Sequence, residues 1–447
     1  MKRTLLIALI GWTLGLLVFV ATLADAFVRI PSAYKTKAVC SEVFVADRDL
    51  DTVLAGDFQR IHPVMDRVKV ALDTEAQSVR GSLFGILGRV RVDYRSGYGC
   101  SIAINGKPFD EAFETVPVDP QAWLVEIDPE IQALTEAARL SSSGDVSADI
   151  RALLVIQNGV IIAEDYAEGF GPDVPMQSWS MAKSVTQAMT AIAVEYGLLS
   201  LTDQELMPEW EGDDPRSAIT LQNLLHMTDG LDFREDYGDP KSEVTRMLFN
   251  SRHMGKFASK SPLAYEPGTR WAYSSGTTNI LSAVLRRAIE DSGQDYHSWP
   301  YRHLFARIGM TSAVFETDAG GTFIGSSYLY ATARDWARLG QLYLNDGMWD
   351  GYRILPEGSV RYATTSAIPG EIDFYGEQWW LNRNIPDVGY RLPGFPETTY
   401  YMGGHDVQRV IVIPSKNAVI VRLGMTRPPV DDQKDVGPAM AAIFDAL

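Results

Sequence analysis

Ser180 and Lys183 stand three residues apart in Gln177-Ser178-Trp179-Ser180-Met181-Ala182-Lys183-Ser184-Val185. A serine hydroxyl is a poor nucleophile at neutral pH and needs a base beside it. An amine held where water is scarce loses its proton more easily and can take that role. An apolar run follows, with Val185, Ala188, Met189, Ile192 and Val194 at helical spacing as far as Tyr196-Gly197. Ser178 is a good N-cap type and Gly197 a good stop. The spacing therefore predicts Ser180 and Lys183 one turn apart on one helical face. The helix N-terminus adds positive potential where an oxyanion would form. Ser-x-x-Lys is short enough to occur about once by chance in a chain of this size. A second copy, Ser32-Ala33-Tyr34-Lys35, follows Pro31 without a helical apolar pattern and reads as two unrelated surface residues.

A second chemical stretch is Pro267-Gly268-Thr269-Arg270-Trp271-Ala272-Tyr273-Ser274-Ser275-Gly276. Its Pro-Gly turn delivers Tyr273 into a bend of small residues, before a helix from about Thr278 to Ile289. Alone, Tyr273 would be a packing residue. Beside Ser180 and Lys183 its phenolate becomes a candidate general base, since an adjacent ammonium lowers a tyrosine pKa. His226, on the mostly apolar helix of Ile219–Gly230, reads as a core histidine. Trp379 and Trp380 read as core aromatics. The six histidines are scattered without ligand spacing, so no metal site and no cofactor is expected.

The elements that must position these residues can be read in order. Ala152–Ile156 and Val160–Ala163 flank Gln157-Asn158-Gly159, and Asn-Gly between two apolar runs predicts a hairpin. Helices are expected over Pro129–Leu140, Ala333–Leu344 and Val436–Leu447. Arg409–Pro414 and Asn417–Leu423 read as antiparallel core strands. Before them, residues 39–121 read as a separate small unit, with a strand at Ser41–Ala46, another at Arg89–Val92, a turn over Asp93–Gly99 and no catalytic constellation. Its boundary falls in Val116-Pro117-Val118-Asp119-Pro120.

The chain has 447 residues, 46% of them hydrophobic, so it can bury a large core. A net charge of -17 argues against a nucleic-acid partner, which would need a basic face. Lys2-Arg3 precede an uncharged run from Thr4 to Leu23, about twenty residues and long enough to span a bilayer. A cleaved signal peptide is the competing reading, with Ala24-Asp25-Ala26 as its cleavage pattern; the length favours an uncleaved anchor. The only two cysteines, Cys40 and Cys100, are expected to form a disulfide joining the ends of the small unit, in a body outside the cytoplasm.

Taken in order, Ser-x-x-Lys, Leu224-Leu225-His226-Met227-Thr228-Asp229-Gly230, Pro-Gly-Thr-x-Trp-x-Tyr-Ser-Ser-Gly and Gly404-His405-Asp406-Val407-Gln408 before a strand pair resemble the serine β-lactamase-like hydrolases of class C type. Within that group the chain looks most like the 6-aminohexanoate-dimer hydrolases, supported by Glu235-Asp236-Tyr237-Gly238-Asp239-Pro240, Thr332-Ala333-Arg334-Asp335, Gln341–Gly347 and Gln378-Trp379-Trp380. The resemblance covers about Asp119 to Leu447. It implies an α/β (α+β) fold: an antiparallel sheet flanked by helices, plus a helical lobe, with the site between them. The expected division is 1–26 anchor or signal peptide, 27–118 small N-terminal subdomain, and 119–447 catalytic domain in a bacterial-type periplasm.

The resemblance makes Ser180 the nucleophile, Lys183 and Tyr273 its proton-transfer partners, and Tyr237 a ligand of the substrate amide. Ser275 stands where the family's Tyr-x-Asn element has asparagine. His405-Asp406-Val407 takes the Lys-Thr-Gly place on the strand edging the site, so Ser180 and Gln408 would supply the oxyanion N–H groups. The expected activity is hydrolysis of small linear amides or esters through an acyl-enzyme. An esterase, a D-amino-acid peptidase or penicillin-binding protein acting on cell-wall material, and a sensor that never turns over are the alternatives. Asp406 is expected to favour an ammonium-bearing substrate, and penicillins and cephalosporins to be poor ones.

Overall fold

The computed structural model describes residues 27–119 and 121–447. The expected membrane-spanning or signal run Thr4–Leu23 lies outside the described residues. Among the described residues no helix is long and apolar enough to cross a membrane.

The architecture is mixed α/β, organised on a seven-stranded sheet. Its order is Trp380–Leu381, Tyr400–Gly404, Gln408–Ile413, Ala418–Gly424, Ile150–Gln157, Val160–Tyr166 and Leu124–Val125. Neighbours are antiparallel except the last pair, which is parallel. Ile150–Gln157 and Ala418–Gly424 are buried almost throughout, because both faces of the sheet are covered. Helices Pro129–Arg139 and Gly437–Ala446 pack on one face. Helices Ala182–Glu195 and Ala333–Leu344 share a second core with the other. The expected hairpin is present, and Asn158 and Gly159 both take positive φ, 52° and 77°, as a tight turn requires.

The N-terminal segment differs from its expected form. Residues 27–44 are helical, so Ser41–Ala46 is not a strand. A four-stranded antiparallel sheet follows: Val68–Asp73, Ser78–Leu83, Leu87–Arg95 and Gly99–Ile102. The Ser32/Lys35 pair is not on the surface. Both side chains are buried: Ser32 Oγ donates back to Val28 O at 2.9 Å, and Lys35 Nζ donates to Met65 O at 2.9 Å. A helix buried on several sides shows no clean apolar stripe, which is why its pattern is silent.

This segment shares its apolar core with the helical lobe. Val39, Cys40, Val79 and Val92 belong to one apolar cluster with Trp210, Leu221, Met247 and Ile280 of the helical lobe. Cys40 is disulfide-bonded to Cys100, with Cα atoms 6.1 Å apart. Closing a loop of 60 residues removes about 4 kcal/mol of unfolded-state freedom in the chain-entropy account. Beside it, the buried Glu316 carboxylate accepts from Lys37, from Ser41 Oγ at 2.9 Å and from Cys100 N at 2.7 Å.

Candidate active site

The helix of Ser180 opens in an unexpected way. Ser178 does not cap it: its hydroxyl donates to Trp179 O at 2.8 Å and accepts from Leu329 N at 3.1 Å. A 3₁₀ turn, Trp179–Met181, precedes the α-helix Ala182–Glu195. Trp179 is held at φ 45°, where a bulky side chain is strained. Such strain persists only where the surroundings enforce it. Here it turns Ser180 out of the helix while Lys183 stays in the first turn.

Lys183 Nζ donates to Ser180 Oγ at 3.1 Å, to Ser275 Oγ at 2.9 Å and to Ser326 O at 3.0 Å. It is fully buried, and loss of hydration lowers its pKa from 10.5 to about 8, against an opposing pull from the Glu235 charge. Tyr273 adjoins the pair, with Lys183 Nζ 4.9 Å from its ring centroid. Its phenol is pushed well above the ordinary value by burial and by Glu235, and its contact with Ser180 only partly offsets this. The expected tyrosine phenolate is therefore not favoured. Burial dominates its environment, and Lys183 is the group whose proton is loosely held.

Ser275 does more than stand in for an asparagine. As the first residue of helix Ser275–Asp291, it links Lys183 to Glu235. Its hydroxyl donates to Glu235 Oε1 at 2.5 Å and its N–H to Glu235 Oε2 at 2.9 Å. Tyr237 donates to the same carboxylate at 3.0 Å, and its hydroxyl lies 3.2 Å from Ser275 Oγ. Glu235 was legible only as part of a family segment. Nothing in its local spacing shows that it folds back 40 residues onto the Ser275 helix start.

The backbone edging Ser180 is displaced from its expected place. Strand Tyr400–Gly404, not His405-Asp406-Val407, runs past the Ser180 turn. A Cβ on Gly404 would meet Ser178 O at 2.3 Å, and one on Gly403 the Trp380 ring at 3.0 Å. Paired glycines at a strand end are a sequence sign of close backbone approach. His405-Asp406-Val407 forms the turn beyond, with Asp406 and Val407 at φ 56° and 65°. Gln408 cannot serve as the expected oxyanion donor. Its N–H is bonded to His405 O, and its side chain is clamped to the Gly424 backbone.

His405 is exposed and stacks on Tyr237, ring centroids 6.0 Å apart, and packs edge-on to Trp179. Asp406 neither faces solvent nor waits for an ammonium group. It is buried and receives Arg427 Nε at 3.0 Å and Nη2 at 2.6 Å. Its charge is already neutralised, so it gives no preference for a cationic substrate. Trp379 is a core residue, as expected. Trp380 is not wholly one, since it stacks on Tyr273 at 5.5 Å. His226 packs in the helical lobe, 3.7 Å from Glu377, and burial lowers its pKa to about 4.

A family model described as Beta-lactamase matches residues 149–443. A 6-aminohexanoate-dimer hydrolase of Paenarthrobacter ureafaciens is 28% identical over 258 residues, covering 52% of this chain. The chain spans 64% of the length of that relative. Among solved structures, a penicillin-binding protein homologue from Caulobacter crescentus superimposes with TM-score 0.54 at 15% identity, over 72% of this chain and 99% of its own. A family VIII carboxylesterase does so with TM-score 0.54 at 12% identity, over 74% and 100%. These two show the fold. With the family match over residues 149–443, more than half of it, the chain belongs to the Beta-lactamase family and is related to the 6-aminohexanoate-dimer hydrolases.

Proposed function

We propose that the protein is a serine hydrolase that cleaves small linear amides or esters through an acyl-enzyme on Ser180. The observation that carries this is the 3.1 Å contact between Ser180 Oγ and a buried lysine whose pKa is lowered to about 8. About a tenth of Lys183 is neutral at pH 7, and that form accepts the Ser180 proton. Ser180 Oγ attacks the carbonyl carbon. The oxyanion is held by the Ser180 N–H at the helix opening and by backbone at the end of Tyr400–Gly404. As the intermediate collapses, Lys183 returns the proton through the Tyr273 hydroxyl to the departing amine or alcohol. Water then attacks the acyl-enzyme, giving up its proton by the same route, and the acid is released.

Ser180→Ala and Lys183→Ala should abolish turnover of a chromogenic short-chain ester and of a linear amide. Tyr273→Phe should lose about 10²–10⁴-fold in kcat. Wild-type rates from purified Ser180→Ala would overturn the reading. A single burst without further turnover would instead identify a penicillin-binding sensor. Penicillins and cephalosporins are expected to be poor substrates, since the strand end beside Ser180 carries Gly403 and Gly404 and no lysine.

A further inference from the structure

A cavity of about 630 Å³ is lined by the stacked Tyr237 and His405, and Tyr237 also contacts the Ser275 that binds Lys183. Its inner wall includes Trp179, the residue before Ser180. Its outer wall comes from residues 27–65: Ile30 and Tyr34 of the first helix, and Ile61 and Val64 of the turn before the small sheet. Phe249 of the helical lobe closes it, with its ring 5.6 Å from Tyr34. These residues precede the family match at 149–443, so the N-terminal subdomain adds a wall that the family core does not supply.

The chemistry of the lining is one-sided. Its buried charges, Asp406 and Arg427, cancel through a two-pronged ion pair. Tyr34 is half-buried, and desolvation raises its phenol pKa, so it stays neutral. Arg60 and His62 are exposed at the rim. What remains is aliphatic and aromatic surface of a size that holds a small molecule.

We infer that this cavity is an acyl-chain pocket, and that it selects substrates whose acyl group is an unbranched alkyl chain of medium length. The inference rests on the hydrolase reading above. The acyl half stays bonded to Ser180 until water releases it, whereas the leaving group must depart. An apolar wall beside the site therefore suits the retained half. Each methylene buried is worth about fourfold in binding.

The test compares kcat/KM for p-nitrophenyl acetate and p-nitrophenyl decanoate on the full chain. The wild type should prefer decanoate at least tenfold. Val64→Trp, which fills the pocket, should lower the decanoate-to-acetate ratio at least tenfold; Ile61→Trp on the same wall is the second variant should the first not fold. No chain-length preference in the wild type, or one that survives both fillings, overturns the pocket. If neither ester is turned over, the hydrolase reading fails by itself, and the pocket is then tested by displacement of a fluorescent fatty-acid probe with decanoate. Displacement weakened by Val64→Trp supports it, and absence of probe binding overturns it.

Discussion

At the scale of single residues, the site depends on how one amine is tuned. Burial drives the Lys183 pKa down to about 8, and the Glu235 charge holds it from falling further. If neutral Lys183 is the base, kcat/KM rises with pH and levels off through a midpoint near 8. Removing the Glu235 charge should lower that midpoint, so Glu235→Gln is expected to shift the pH profile toward acid. A midpoint that stays in place would remove Glu235 from the electrostatics of the site. That Ser180, Lys183 and Tyr273 lie together was legible from their types and spacing. Gln408 and Asp406 were misplaced because a pattern match does not reveal register. The Gly404–Gln408 pairing puts a three-residue turn where an extended strand edge was expected.

At the scale of elements, the helix that follows Ser180 is held by the loop before Trp379. Ser184 Oγ donates to Gln378 O at 2.7 Å, Thr278 Oγ1 to Gln378 Oε1 at 2.8 Å, and Gln378 Nε2 to Leu225 O at 2.9 Å. One residue thus bridges three helices. Its neighbour Glu377 accepts from Gln187 Nε2 at 3.2 Å, and burial raises its pKa from 4.5 to about 7. The folded protein keeps this proton up to about pH 7, while the unfolded chain loses it near 4.5. Stability therefore falls as pH rises through that window. Glu377→Gln stays neutral throughout, so its Tm relative to wild type should climb between pH 5 and pH 8. A constant difference would mean the carboxyl is ionised in the fold. The Asn-Gly hairpin, the helices Pro129–Arg139 and Ala333–Leu344 and the paired core strands were legible because their signals are local. The helix at 27–44 was not, since its neighbours across the fold, rather than its own periodicity, decide which of its faces are buried.

At the scale of the whole molecule, residues 27–118 are locked to the rest of the chain by charge as well as by apolar packing. Arg427, beside the site, pairs with Asp406 and also donates to Asp57 O at 2.8 Å and Gln59 O at 2.9 Å. The Asp57 carboxylate in turn accepts from Arg48 Nη2 at 3.0 Å and from Arg151 Nη2 at 2.6 Å, and Arg151 lies on a core strand. A buried pair gives modest net stability, but removing one partner strands a charge. Arg427→Met should therefore cost about 3–5 kcal/mol, measured by urea unfolding. Arg427→Met combined with Asp406→Asn should recover part of that loss, because no uncompensated charge remains. Since one apolar cluster runs through the subdomain and the helical lobe, calorimetry of the wild type should show them melting together. If the single and double variants were equally destabilised, the pair's charge would not be what joins the two halves. A separate early transition for residues 27–118 would show that the wall of the cavity can detach from the body carrying Ser180.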